Sequence, residues 1–321
     1  MMTFAYESLR EHLGADDALV LDDAHSRRLT KAAWCSRLIG AMAWLSAQSN
    51  YEYVWRGHAS AEWPLQPRLS RHVAVHRGGT AVSDVLTEEE AILDEARHAR
   101  LDIRDGQPLN LLMTAAWLQH HAVPTRLLDV TRDPLVAAFF ASQPDTSSDN
   151  DGAVIAIRVR KRLRVRFNSS VSTLHDGLEF FTDNTRPEMP PYSRALWNPP
   201  NLDGRIPAQR SSFLVPNLQA KTARPKGYGG SLKLYAPTRP IGLGIAKIHG
   251  PEDDTLREIT HAYLKEDSPK GSRSGHYINV GMFVIPGDRK SHLRDYLRAL
   301  GVSVRTVFPD VDGFAKSFPP C

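Results

Sequence analysis

A polar block set between two apolar helical runs constrains this chain more than any other stretch. It reads Gln119-His120-His121-Ala122-Val123-Pro124-Thr125-Arg126-Leu127-Leu128-Asp129-Val130-Thr131-Arg132-Asp133-Pro134 and runs into Leu135-Val136-Ala137-Ala138-Phe139-Phe140-Ala141. Before it, Leu109 to Leu118 is apolar and rich in helix formers, which predicts a buried helix. Val123-Pro124 breaks that helix, because proline disfavours helical geometry in the residue before it. Thr125 to Thr131 then predicts a short strand centred on Leu127-Leu128. Asp133 is placed to cap the next helix, with Pro134 at its first position. His120, Thr125, Arg126, Asp129 and Thr131 therefore fall on the ends and edges of packed elements. A polar group buried there without a partner costs about 1–3 kcal/mol. Each residue alone has a purely structural reading: Asp129 fixing the start of the following helix, Arg126 paired with Asp129. The group together suggests the wall of a pocket.

A chain of 321 residues can bury a sizeable core in one large or two ordinary domains. Its 41% hydrophobic and 24% charged content is that of globular proteins. No apolar run approaches the roughly 20 residues of a membrane helix, and the N-terminus lacks a signal-peptide layout. The expectation is a cytoplasmic protein with no membrane partner. With only Cys35 and Cys321, a disulfide framework or a cysteine-based zinc site is all but excluded. A net charge of +4 is compatible with a polyanion or a small phosphorylated ligand without demanding either.

Around the central block, residues 1–50 look helical, with Trp34, Leu38, Met42 and Leu45 on one face of a helix over 31–47. Tyr51 to Gly57 predicts a strand ending in Arg56-Gly57. An Arg fork beside a glycine that admits close approach suits an anion; a surface Arg at a turn is the plainer reading. Trp63 suits stacking on a ligand or, more commonly, a buried anchor. Residues 72–86 look like a loop, and Thr87 with Glu90 fits a capping box opening a helix. Asp105 to Pro108 predicts a turn, 143–152 a polar loop and Ala153 to Val159 a buried strand. The basic run 160–166 reads as a solvated edge. Residues 184–208 are proline-rich and irregular. Arg205 and Gln209 follow just before a short strand, Phe213 to Val215. Further on, residues 231–235 and 279–285 predict strands, and Leu256, Ile259 and Tyr263 have helical spacing. Ser291 begins a helix closed by Gly301, Val302 to Val307 predicts a strand, and Asp310 to Ala315 a turn.

Several blocks closely resemble the FRG-domain family. They are Trp55-Arg56-Gly57, Trp63-Pro64-Leu65, Gln119 to Asp129, Arg205-Ile206 with Gln209 and Phe213, and Phe308-Pro309-Asp310-Val311-Asp312-Gly313. Trp55 stands where the family usually has Phe or Tyr, and His121-Ala122 where it has Tyr-Gly. The resemblance runs from about residue 50 to the C-terminus, which implies an N-terminal helical segment (1–50) and an FRG domain (51–321). Members often look like parts of bacterial defence or toxin-like systems.

A more distant similarity links the chain to Arg-type ADP-ribosyltransferases. Arg56-Gly57 looks like their first-strand Arg, and Asp129-Val130-Thr131 with the helix after it like their second element. Gln209 to Leu214 stands where their third strand would. This resemblance implies an α+β fold, with a mixed, split β-sheet core of ADP-ribosyltransferase-like type flanked by helices. It also implies NAD as a substrate. Arg56 and Gly57 would hold its pyrophosphate or ribose, with Thr125, Arg126, Thr131 and Arg205 among the binding residues. His120, Asp129 and Gln209 would be the catalytic set, with His120 orienting ribose hydroxyls or acting as general base. The family's third-strand glutamate is absent, and Gln209 supplies no charge. Either Asp129 takes that role, or the protein binds a nucleotide without this reaction. The acceptor would be a protein or a nucleic acid. Two other functions compete: a metal-dependent nuclease using His120, Asp129 and His121, and a non-catalytic nucleotide-sensing or interaction domain.

Overall fold

Strand β1 (Glu52–His58) has Tyr53, Val54 and Trp55 almost wholly buried, and a six-stranded sheet assembles on it. The computed structural model describes residues 29–47, 52–61, 63, 65, 67–77, 82–145, 150–159, 164–181, 194–216, 218 and 280–310. The helices are α1 (Lys31–Ser46), α2 (Arg68–Arg77), α3 (Val82–His98), α4 (Leu111–His120), α5 (Pro134–Ala141), α6 (Leu174–Gly177), α7 (Arg205–Ala208), α8 (Lys290–Ala299) and α9 (Val304–Val307). The strands after β1 are β2 (Ile103–Arg104), β3 (Gln107–Pro108), β4 (Leu128–Thr131), β5 (Gly152–Val159), β6 (Arg164–Phe167), β7 (Leu178–Phe181), β8 (Arg194–Trp197), β9 (Ser211–Pro216) and β10 (Val280–Ile285). No helix among the described residues is long and apolar enough to cross a membrane.

The sheet order is β10-β5-β1-β4-β9-β8, and β2-β3 and β6-β7 form separate two-stranded sheets. The α+β class holds, but the sheet is not mixed: every pairing of neighbours is antiparallel. The reason lies in the connections. Strand β4 enters at the end where β1 leaves. Strands β4 and β5 then run parallel to each other on either side of β1, joined by α5 crossing over it. Along its whole length β1 pairs with β5, from Glu52 opposite Val159 to His58 opposite Ala153. With β4 it shares a single registered pair, Trp55 opposite Thr131. The sheet is thus thinnest at the β1–β4 seam.

Side chains alternate across the sheet. Val54, Leu128, Val130, Ile155 and Leu214 face one side, where Leu69 and Val73 of α2 and Val85 and Leu86 of α3 cover them. Tyr53, Trp55, Val154 and Phe283 face the other, under α1, α5 and α8. Further along that second face, Phe213 and Val215 lie under α4 and Ile206 of α7. Two helical groups therefore share one face of the sheet, and the space between them overlies the β1–β4 seam.

Several local expectations hold. The helix expected from Leu109 to Leu118 is α4, with the Asn110 side chain accepting from the Met113 N–H. Asp133 caps α5 by accepting from the Leu135 N–H at 2.9 Å, with Pro134 in the first turn. Trp34, Leu38, Met42 and Leu45 of α1 are all buried. Gly301 adopts φ +85° after α8, a conformation that L residues avoid.

Others are corrected. Residues 72–86 are largely helix, because Leu69, Val73, Val85 and Leu86 bury against the sheet. Thr87 accordingly lies inside α3 rather than at its cap. Strand β4 starts at Leu128, after Arg126 and Leu127 have turned into the core. Residues 304–307 form one helical turn, with the Ser303 N–H donating to Thr306 Oγ1 at 2.8 Å and the Val307 N–H to the Ser303 carbonyl at 2.9 Å. The strand expected at 231–235, the helical spacing at 256–263 and most of the proline-rich run before residue 194 lie outside the described residues.

Candidate functional site

A cleft of about 280 Å³ opens where the two helical groups part. Trp55, Arg56, Gly57, Asp129, Thr131 and Ser211 line it from the sheet, Gln119 and His120 from α4, and Phe140 from α5. Arg205, Gln209 and Phe308 complete the wall. Gly57 is dictated by packing: a Cβ there would stand 2.0 Å from the Ala137 carbonyl oxygen and 2.7 Å from Phe140 Cβ. The absence of a side chain lets α5 lie directly on the β1 backbone, which brings Phe140 to the cleft.

Arg56 occupies the seam. Its Nη1 donates to the Asp129 main-chain carbonyl at 2.6 Å and lies 3.7 Å from Asp129 Oδ2. The guanidinium thus satisfies a strand carbonyl where pairing between β1 and β4 stops. Its Nε donates to His58 Nε2 at 2.9 Å. His58 is 4% exposed, and its pKa is pushed down to about 3 by burial, then by the charges of Arg56 and Arg71. The imidazole is therefore neutral and serves Arg56 as an acceptor.

Helix α4 buries Leu112, Ala115, Ala116 and Leu118 and delivers Gln119 and His120 at its C-terminal end. Gln119 Nε2 donates to Asp129 Oδ2 at 2.8 Å and to the Leu127 carbonyl at 3.1 Å, while Thr125 Oγ1 donates to its Oε1. Asp129 is held on one oxygen, yet its side chain remains 51% exposed. His120 Nδ1 meets Asp203 Oδ2 at 2.5 Å. The other Asp203 oxygen accepts from the main-chain N–H groups of Arg205 at 2.8 Å and Ile206 at 3.2 Å. Burial alone would raise the Asp203 carboxyl. The hydrogen bond and charge of His120, with the two N–H groups, outweigh that and hold it below the usual carboxylate value. The Asp203 carboxylate holds the His120 ring through Nδ1, which leaves Nε2 as the ring nitrogen not engaged by Asp203.

The remaining wall is tied together internally. Thr131 Oγ1 donates to the Gln209 carbonyl at 2.6 Å and accepts from the Asp133 N–H at 2.9 Å. Gln209 Nε2 donates to the Val307 carbonyl at 3.2 Å. Arg205 pairs with Asp310 through Nε and lies 5.6 Å from the centre of the Phe308 ring.

Of the residues singled out from the sequence, Arg56, Gly57, His120, Asp129, Thr131, Arg205 and Gln209 meet at the cleft. Thr125 and Arg126 do not. Thr125 supports Gln119 from behind. Arg126 is 2% exposed and bound to Glu89 of α3, with Nε 2.6 Å from Oε2. The expected Arg126–Asp129 pair is thus replaced by Arg126–Glu89, because the chain turns Arg126 inward before β4 begins. Gln119 and Asp203 went unassigned in the sequence. The signal for Asp203 was an Asp-Gly dipeptide opening a turn, which says nothing of a histidine far away in the chain. Among the described residues, no three His, Cys, Asp or Glu side chains gather as metal ligands.

Residues 51–150 match the model of the FRG domain. No curated protein and no solved structure matches the chain. The matched region supplies Arg56, Gly57, Gln119, His120 and Asp129, whereas Asp203, Arg205, Gln209 and Phe308 come from residues beyond it. The chain thus carries an FRG-domain match over residues 51–150, which takes in the aromatic-Arg-Gly strand.

Proposed function

We propose that the cleft binds NAD, or a closely related nucleotide, and that the protein is an ADP-ribosyltransferase-like enzyme. The observation that carries this reading is the convergence of Arg56, Asp129 and the His120–Asp203 pair on one cleft from three distant segments. The order of elements supports it. Strands β1, β4 and β9 are neighbours in the sheet, and they carry or adjoin Arg56, Asp129 with Thr131, and Gln209. On this reading the sheet is an ADP-ribosyltransferase-like core.

The chemistry follows from the groups present. Breaking the bond between ribose C1′ and the nicotinamide nitrogen sends the electron pair to nicotinamide and leaves positive charge on the ribose. Asp129, half exposed at the cleft, offers a carboxylate to stabilise that charge in place of the glutamate that the third strand of Arg-type ADP-ribosyltransferases would bring. Arg56 and Arg205 supply guanidinium groups for the pyrophosphate. His120 Nε2 takes the proton of the attacking acceptor as its oxygen or nitrogen bonds to C1′. The acceptor is a protein, a nucleic acid or water. This reading assigns the protein to the cytoplasm, in a bacterial defence or toxin-like role.

The test is incubation of the whole chain with NAD, following nicotinamide release and label transfer. Release that falls at least about 100-fold in Asp129→Asn and His120→Gln, with melting temperatures unchanged, supports the reading. Calorimetric binding of NAD without release would overturn transfer in favour of a nucleotide sensor. Neither binding nor release would overturn both.

A further inference from the structure

Thr125 is buried and lies outside the wall of the cleft, yet its hydroxyl bears on it. Helix α4 ends in a tight reversal. The Val123 N–H donates to the Leu118 carbonyl and the Ala122 N–H to the Gln119 carbonyl, both at 3.0 Å, and Ala122 takes φ +65°. The chain beyond is anchored where the Thr125 carbonyl accepts from the Leu69 N–H of α2 at 3.2 Å. The Thr125 hydroxyl accepts from the Leu127 N–H at 3.2 Å and donates its one proton to Gln119 Oε1. The nitrogen end of that amide faces two acceptors, the Leu127 carbonyl at 3.1 Å and Asp129 Oδ2 at 2.8 Å. Turning the amide over would set its oxygen against both of them. Arg56 Nη1 lies 3.7 Å from the same Oδ2. Asp129 is half exposed, so water competes for its carboxylate, but one oxygen is held by a donor that is itself fixed from behind.

We propose that Gln119, locked by Thr125, is a positioning residue for Asp129: it ties Oδ2 to the sheet and so presents Oδ1 to the ribose of the bound nucleotide. This inference rests on the NAD reading of the cleft. Thr125 then acts on the reaction without touching the ligand, through a relay from its hydroxyl to the Gln119 amide to the Asp129 carboxylate. A carboxylate aimed in advance matters most when charge develops on the ribose, so the relay serves turnover rather than binding.

Thr125→Val and Thr125→Ser in the whole chain test it, with nicotinamide release from NAD as one readout. The valine keeps the shape and removes the hydroxyl; the serine restores it. Thr125→Val loses about tenfold or more in kcat, within the roughly 100-fold that a 1 Å misplacement can cost, while KM stays within about twofold. Thr125→Ser recovers most of the loss. Assays run well below the melting temperature of each variant, so that all are folded. An undiminished kcat in Thr125→Val, a KM that rises as far as kcat falls, or a loss that serine does not repair overturns the proposal. The second readout needs no turnover: hydrogen exchange of the Gln119 side-chain amide, followed by NMR in glutamine-labelled protein. Exchange is slow in the parent and in Thr125→Ser, and fast in Thr125→Val and in Asp129→Ala. If the parent releases no nicotinamide, the proposed reaction falls by itself and this second readout decides the relay. Slow exchange that both the Thr125→Val and the Asp129→Ala variants lose sustains it, and exchange as fast as that of an exposed glutamine overturns it.

Discussion

Acid should unlatch the seam through His58. The imidazole is 4% exposed in the folded chain, with its pKa pushed from 6.5 down to about 3 by burial and then by Arg56 and Arg71. Between those two values the unfolded chain holds a proton that the folded chain refuses. Stability therefore rises with pH across this window and is lost as the medium is acidified through it. Well inside the window the slope approaches about 1.4 kcal/mol per pH unit. At pH 5 this one group removes about 2 kcal/mol relative to pH 8, a large part of a typical total of about 5–15 kcal/mol. His58→Gln abolishes the titration yet keeps an acceptor for Arg56 Nε. Urea unfolding of parent and variant at pH 8, 6.5 and 5 isolates the effect, because other titrations are common to both. The stability difference between them should move by about 2 kcal/mol in the variant's favour from pH 8 to pH 5. Parallel pH profiles would show that His58 protonates freely in the folded chain, and the account of the Arg56 anchor would be wrong.

Gly57→Ala drives a methyl group into the α5 backbone and should cost about 1–3 kcal/mol or more, read as a lowered urea midpoint; an unchanged midpoint would mean that α5 does not rest on β1 as described. Glu89→Ala strips the buried carboxylate from Arg126 and should cost about 3–5 kcal/mol, and adding Arg126→Met in a Glu89→Leu background should recover most of it. Asp203 has a depressed carboxyl, so its contribution to stability is present above the ordinary carboxylate range and is lost as pH falls through its folded value. The stabilities of parent and Asp203→Asn should converge in acid and diverge at neutral pH. In a nicotinamide-release assay the same variant should lose turnover more than NAD affinity, since its effect passes through His120.

Local signals were legible wherever one short segment settles its own geometry. The apolar run of α4, the Asp133-Pro134 start of α5 and the Gly301 end of α8 depend on neighbours within a turn, and all three stand as the sequence implied. Thr87 to Glu90 shows the opposite case. The capping pattern is present, but burial of Val85 and Leu86 against Leu65 and Leu69 extends the helix through it. Helix α2 was hidden for a related reason: only Leu69 and Val73 of its run are fully buried apolar side chains, Val75 is exposed, and the rest is polar or small.

The residue types of the cleft were readable, since Arg, His and Asp at the edges of apolar elements must find partners or ligands. Their pairing was not. Arg126 lies three residues from Asp129 in the chain yet pairs with Glu89, while His120 meets Asp203 across 83 positions. Hydrogen-bonding capacity is a property of each side chain and is written in the sequence. Which donor meets which acceptor depends on the antiparallel order that sets β1, β4 and β9 side by side, and on the single Trp55–Thr131 pair at which the sheet gives way to a cleft.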